Sequence, residues 1–223
     1  MNKKTLFTLI AAAFAFAPLS HAAELPQSAE LQYSGSFGIP ATMTFKRSGS
    51  NYTIVSQINV PLYKIRFESG GTISGNTLKP SYYRDVRNGK VYAEAKFSGS
   101  QISYGKRGET KTEAINGVAL DLFALSWQLA ANDAKLPAGL KITNGKNLYP
   151  VSGLHKIGSE NFKFADGTTT VNKYRVRRGN SVILYSFAPD LGNIPAQINY
   201  SDDGKTYNLK LKSVSINGKK VQP

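Results

Sequence analysis

A series of turn dipeptides, set between short runs of alternating character, constrains this chain more than any other feature. Asn88-Gly89, Asn144-Gly145, Asp166-Gly167, Asp203-Gly204 and Asn217-Gly218 recur along it. Asn and Asp tolerate the positive φ that a two-residue hairpin turn demands, and Gly adopts it freely. Gly70-Gly71, Ser74-Gly75 and Arg178-Gly179-Asn180 read as further turns.

Between the turns the side chains alternate with a period of two. Tyr52, Ile54, Ile58 and Val60 oppose Thr53, Gln57 and Asn59. Tyr63, Ile65 and Phe67 oppose Lys64 and Arg66; Val91, Ala93, Ala95 and Phe97 oppose Tyr92, Glu94 and Lys96; Tyr207, Leu209 and Leu211 oppose Asn208, Lys210 and Lys212. This is the signature of antiparallel strands with one buried and one wet face. The prediction is a mainly β, single-domain antiparallel meander that curls into a barrel or half-barrel.

One segment breaks the pattern. Residues 118–132 read VALDLFALSWQLAAN without a turn signal. Asp121, Gln128 and Asn132 share a narrow stripe at helical spacing, and most of the remaining surface is apolar. The spacing predicts one largely buried helix, with Asp121 in its first turn, packed on or plugging the concave face of the sheet.

The N-terminus addresses the chain. Lys3 and Lys4 precede an apolar run from Leu6 to Pro18, and Ser20-His21-Ala22 offers small residues at the positions a signal peptidase needs. The reading is a signal peptide over residues 1–22, cleaved after Ala22, and a single domain over 23–223. The apolar run falls short of the roughly 20 residues that span a bilayer. No later segment is long and apolar enough to do so, so the mature chain is expected to be soluble and periplasmic. It contains no cysteine, and its stability is expected to come from a packed core rather than disulfides.

Charge narrows the partners. The chain holds 28 Lys and Arg against 14 Asp and Glu, a formal net charge of +14. Removing Lys3 and Lys4 with the leader lowers this to about +12, which favours anionic partners. Export and the absence of a nucleic-acid module argue against DNA or RNA. Acidic lipids, glycolipids, anionic glycans and acidic protein faces remain.

Catalytic patterns are scarce. One histidine, His155, follows the predicted leader, and there is neither a His-Glu-x-x-His helix nor a Gly-x-Ser-x-Gly elbow. The pair Asp85 and Glu94, flanking Asn88-Gly89, is a candidate for acid-pair glycan hydrolysis, although neighbouring Arg84, Arg87 and Lys90 suggest ion pairing instead. No cofactor or metal is expected.

The candidate binding residues are cationic and aromatic. Tyr82, Tyr83, Arg84, Arg87 and Lys90, with Tyr92, cluster along one predicted hairpin. Lys173, Arg175 and Arg177 share a face of another strand, with Arg178 at its end. Arg beside Tyr suits phosphate and sugar groups through forked hydrogen bonds and ring stacking. Phe123 and Trp127 of the helix are the candidates for lining an apolar interior.

Leu31-Gln32-Tyr33, Phe37-Gly38-Ile39-Pro40, Glu68-Ser69-Gly70-Gly71 and Leu78-Lys79-Pro80-Ser81-Tyr82-Tyr83 occur in that order. Leu120-Asp121-Leu122-Phe123-Ala124-Leu125, Ile194-Pro195-Ala196 and Leu209-Lys210-Leu211 follow. In this succession the chain resembles the bacterial domain-of-unknown-function 3108 family. The resemblance implies an exported β-rich protein and supplies no catalytic residues. The chain departs from it at Phe97-Ser98, where members often carry Phe-Asp.

The expected function is a non-catalytic envelope protein that binds an anionic amphiphile (lipid or glycolipid) or glycan, as a carrier or assembly factor. In that reading the arginines meet the headgroup, and Phe123 and Trp127 line the apolar part. The alternative is a protein–protein adaptor in the envelope, with the helix serving purely as core.

Overall fold

The computed structural model describes residues 24–202 and 204–223. The leader expected over residues 1–22 lies outside them. The first half of the chain is a meander of hairpins: β1 (Ser28–Ser34), β2 (Pro40–Ser48), β3 (Asn51–Val60), β4 (Tyr63–Ser74), β5 (Thr77–Arg87), β6 (Lys90–Ser98), β7 (Gln101–Lys106) and β8 (Lys111–Ala114). A short strand, β9 (Ala119–Asp121), leads into the helix α1 (Leu122–Ala131). The second half runs β10 (Lys141–Thr143), β11 (Leu148–Phe164), β12 (Gly167–Arg178), β13 (Ser181–Ala188), β14 (Ile194–Asp202), β15 (Lys205–Ile216) and β16 (Lys219–Lys220).

Both meanders join into one sheet through β1 and β15, which pair antiparallel near the two ends of the chain. The strand order is β8-β7-β6-β5-β4-β3-β2-β1-β15-β14-β13-β12-β11-β10-β9, and β16 pairs with β15. The short β9–β10 pair is parallel, whereas the hairpins are antiparallel. The path is open, so the closed barrel is excluded and a half-barrel or open sheet fits.

The turn chemistry acts as read at Asn88-Gly89 and Asn217-Gly218, whereas at Asn144-Gly145 and Asp166-Gly167 only the glycine takes positive φ. Asn88 and Gly89 adopt φ of 48° and 77°, and Asn217 and Gly218 adopt 51° and 76°, the paired positive values of a tight hairpin. Both asparagines also fasten their turns to a neighbouring strand. Asn88 Oδ1 accepts the Lys64 N–H at 2.8 Å, and Asn217 Oδ1 accepts the Ser28 N–H at 3.0 Å.

Gly70-Gly71 is a correction. The pair lies inside β4, at a slip in the β4–β5 pairing. A Cβ on Gly71 would come within 2.0 Å of the Lys79 carbonyl oxygen. These glycines permit close approach of two backbones rather than a turn.

The helix is shorter than the predicted 118–132 span, because Ala119–Asp121 are taken up as strand beside β10. Asp121 is the N-cap: its Oδ1 accepts the N–H groups of Phe123 at 2.9 Å and Ala124 at 3.0 Å. All ten helical residues are buried. An isolated helix of this length is marginal in water, so its stability comes from packing, at roughly 1.5–3 kcal/mol for each large apolar side chain fully buried.

The polar stripe of α1 faces protein. Gln128 accepts the Leu78 N–H at 2.7 Å and donates to the Asn76 carbonyl at 2.8 Å. Tyr185 donates to the Leu122 carbonyl and Asn193 to the Ala130 carbonyl, from the other half of the sheet. The helix thus bolts the two meanders together from within, inside a core built from Leu31, Phe45, Ile54, Leu78, Ile183 and Phe187 among others.

Candidate functional site

The β5–β6 hairpin separates the predicted cluster onto different faces. Tyr83 is buried and stacks near Phe67, with ring centroids 6.4 Å apart, so it belongs to the core and not to the outer face. Tyr82 and Arg84 face outward, with the guanidinium 5.4 Å from the Tyr82 ring. Arg84 also reaches across to Glu94 at 3.9 Å, an exposed pair worth about 0–1 kcal/mol. Lys90 is exposed beside the turn.

Arg87 is committed to structure. It grips buried Asp85 through Nε and Nη2, the latter at 2.9 Å, and lies 3.7 Å over the ring of Tyr92. The pairing slips between Asp85 and Val86, leaving Tyr92 without a partner on β5. Desolvation lowers the Arg87 pKa, but the hydrogen bonds and charge of Asp85, with Tyr63, outweigh it and raise the pKa above the usual guanidinium value.

Asp85 and Glu94 do not converge. Asp85 pairs with Ala93 and Glu94 with Arg84, so the carboxylates occupy alternate faces of adjacent strands. Asp85 is buried and bonded to Arg87, while Glu94 lies among Arg84 and Lys96 on the outside. The geometry for acid-pair hydrolysis is therefore absent at this pair.

On β12, Arg175 and Arg177 are exposed and half-buried Lys173 pairs with Glu160 at 2.9 Å. Arg178 corrects the expectation of a solvent-facing cation, being only 3 % exposed. It stacks 4.5 Å from the Tyr149 ring, donates to the Ser201 carbonyl at 3.0 Å, and holds the β12–β13 turn through Ser181. The period of two turns Arg178 inward where Arg177 points out.

Phe123 and Trp127 line none of the described clefts. Phe123 packs 5.3 Å from Phe67 and Trp127 4.7 Å from Phe45, both in the core. The helix is buried within the core. The clefts described lie at the surface, and other residues line them.

One of those clefts has the chemistry that the predicted clusters lack. The tip of the β11–β12 hairpin folds back onto β15, where the Ala165 N–H donates to the Lys212 carbonyl at 3.0 Å. The groove between them measures about 360 Å³ and is lined by Lys163, Lys210 and Lys212 over Phe164, Ala165 and Leu211. Ser34 and Gly35 close one side. The three lysines are exposed, and among the described residues none of them is ion-paired. Lys210 Nζ sits 5.4 Å from the Phe162 ring. Phe164 and Leu211 are buried beneath the groove, whose accessible lining is cationic and largely polar, which suits an anionic headgroup. The sequence shows Lys210 and Lys212 on a wet strand face but carries no local signal that Lys163 joins them.

Two hairpin tips at one end of the sheet also escaped the sequence reading. Phe37, in the 3₁₀ turn Ser36–Gly38 between β1 and β2, is 100 % exposed. Leu62, between β3 and β4, is likewise fully exposed. Ser36 pins the first tip to β15, accepting the Asn208 N–H and donating to the Thr206 carbonyl. Both residues adopt positive φ, 59° at Phe37 and 63° at Leu62.

No helix among the described residues is long and apolar enough to cross a membrane. A family model described as a protein of unknown function, DUF3108, matches residues 30–212. No curated protein matches the chain. The family match spans the groove, both tips and α1.

Proposed function

The chain belongs to the DUF3108 family, and we propose that it is an exported, non-catalytic periplasmic protein that binds an anionic amphiphile, a lipid or glycolipid headgroup, on its outer surface. The observation that carries this reading is the groove lined by Lys163, Lys210 and Lys212, three exposed cations with no ion pair among the described residues. The cations of β5–β6 are poorer candidates, because Asp85 holds Arg87 in a buried pair and Glu94 lies beside Arg84. Arg175 and Arg177 add to the basic surface that draws an anion in. The leader-like N-terminus and the net charge of +14 support an envelope setting.

The binding mode differs from enclosure. With α1 buried within the core, the ligand rests on the protein and its acyl portion is only partly covered. This favours recognition or delivery at a surface over carriage of a whole lipid through water.

The test is titration of the mature chain with monomeric short-chain phosphatidylglycerol, followed by amide chemical shifts. Shifts should centre on Lys163, Lys210 and Lys212. Changing all three to Gln should weaken binding by roughly fivefold per lysine. Equal affinity in the triple variant would overturn the assignment.

A second reading, an envelope protein–protein adaptor, draws on the fully buried α1, which leaves the whole outer surface for a partner. It predicts one stable crosslinked partner in the periplasm and no response to the lipid.

A further inference from the structure

Phe37 and Leu62 are unlike ordinary surface apolar residues. Single exposed apolar side chains need no explanation. These two, however, are wholly exposed, and each occupies a backbone conformation that bulky residues avoid. A two-residue turn such as Pro61-Leu62 takes Gly or Asn at its positive-φ position without strain. Retaining a large apolar side chain there, where it touches nothing, points to a role outside the fold.

Topology places the two tips side by side. β2 and β3 are adjacent and pair Ala41 with Ile58, so the loop before β2 and the loop after β3 lie at one end of the sheet. The hairpin centres are two strand spacings apart, roughly 10 Å. The next turn along that rim is Asn88-Gly89, fastened to Lys64 and flanked by exposed Lys90. On the other side, the Phe37 loop leads directly from Ser34 and Gly35, which wall the lysine groove. The rim therefore presents two apolar projections between cations: Lys64 and Lys90 on one flank, Lys210 and Lys212 on the other.

We infer that the Phe37 and Leu62 tips insert into the surface of an anionic bilayer, holding the protein by this rim with the lysine groove at headgroup level. Separate convex projections suit a fluid bilayer, which closes around each one. A protein partner would more naturally be met by a flat or concave contiguous patch. The surrounding positive charge complements acidic headgroups. The inference rests on the anionic-headgroup reading for its electrostatic part, while the apolar part stands on the tips alone.

The experiment is sedimentation of the mature chain with vesicles of phosphatidylethanolamine and phosphatidylglycerol, beside vesicles of phosphatidylcholine alone. The chain should partition onto the anionic vesicles and only weakly onto the neutral ones. Phe37→Ser with Leu62→Ser should lower that partition by about 10-fold per side chain or more. The same double variant should bind monomeric short-chain phosphatidylglycerol as the parent does. In a Phe37→Trp variant, the added indole should shift its emission to the blue on anionic vesicles and be quenched by brominated acyl chains; Trp127, buried in the core, supplies a constant background.

Parent-like partition of the double variant, or an unquenched indole, overturns the insertion. If it fails while the soluble lipid still binds at the lysines, the headgroup reading survives alone. If vesicle partition depends on the tips but the soluble lipid does not bind, the insertion stands and the groove assignment falls. Binding to a periplasmic protein that needs both tips, without vesicle partition, also overturns it.

Discussion

Ser69 on β4 donates its hydroxyl to Oδ2 of Asp121 across 2.5 Å, joining the sheet to the N-terminus of α1 inside the core. Asp121 is completely buried, and its other oxygen caps the helix. One carboxylate thus serves both the local start of the helix and its attachment to the sheet. Replacing it with Ala removes the cap on two helix N–H groups, about 1 kcal/mol, and leaves the Ser69 hydroxyl buried without its acceptor, about 1–3 kcal/mol more. Urea unfolding of Asp121→Ala should show a loss of about 2–4 kcal/mol. A loss below 1 kcal/mol would remove Asp121 from this role.

The same group should make stability depend on pH. Burial raises the Asp121 pKa above its ordinary 3.8, outweighing the lowering by Ser69 and the Ala124 and Phe123 amides. A raised carboxyl binds its proton more tightly in the folded state. Its contribution is therefore most favourable at low pH and declines as pH rises from the ordinary carboxyl range through the raised native value. Asp121→Asn keeps an oxygen for the cap and removes the charge. Relative to the parent it should gain stability with rising pH, seen as a difference in unfolding midpoint that widens from acid to neutral solution. A constant difference would show that Asp121 does not titrate there.

Trp127 offers a contrast. Among the described residues its buried indole N–H has no hydrogen-bond partner, so the residue is held by packing, chiefly against Phe45. Trp127→Phe loses volume but also removes an unsatisfied donor, and the two effects oppose each other. The expected cost is about 1 kcal/mol, against about 3–5 kcal/mol for Trp127→Ala. Equal losses in the two variants would mean that the N–H has a partner.

Gly71 is the tightest backbone approach in the sheet that a side chain would disturb. The clash of a Cβ with the Lys79 carbonyl is with main chain, which cannot swing aside. Gly71→Ala should cost about 1–3 kcal/mol or more by forcing β4 and β5 apart. The corresponding change at Gly99 meets no neighbouring atom within 4 Å, but it must keep a φ of 56°, so strain alone decides its cost. Thermal melts of both variants separate the two effects; an undisturbed Gly71→Ala would refute the close approach.

The turns and the alternating faces were legible because both are local. Asn88-Gly89 dictates its own φ values, and Tyr52 to Ile58 declare their burial through a period of two. Gly70-Gly71 was misread because a glycine needed for a neighbour's approach has the same spelling as one needed for a turn. The helix end was misplaced because Leu120 and Asp121 fit a helical pattern until β10 claims them as strand. The lysine groove joins Lys163 to Lys210 through the folding of one hairpin onto a strand far along the chain, and no local pattern encodes that. Arg178 was chosen for its chemistry, but its face depended on one step of strand register.

Leu62 separates folding from function in a single substitution. Its φ of 63° is the left-handed region, costly for a side chain with a Cβ and open to glycine. The Leu62 side chain is wholly exposed, so removing it forfeits no packing. Leu62→Gly should therefore leave the fold as stable or up to about 1 kcal/mol more stable, the relief of backbone strain being partly offset by the greater freedom of glycine in the unfolded chain. The same change should reduce partition onto anionic vesicles by about 10-fold or more, because a buried Leu side chain gives a transfer free energy of that order. Thermal melting and vesicle sedimentation on one preparation decide the matter. A more stable variant that binds less marks Leu62 as a residue kept for contact at the expense of the fold. A less stable variant with unchanged binding would mean that the tip serves the turn alone.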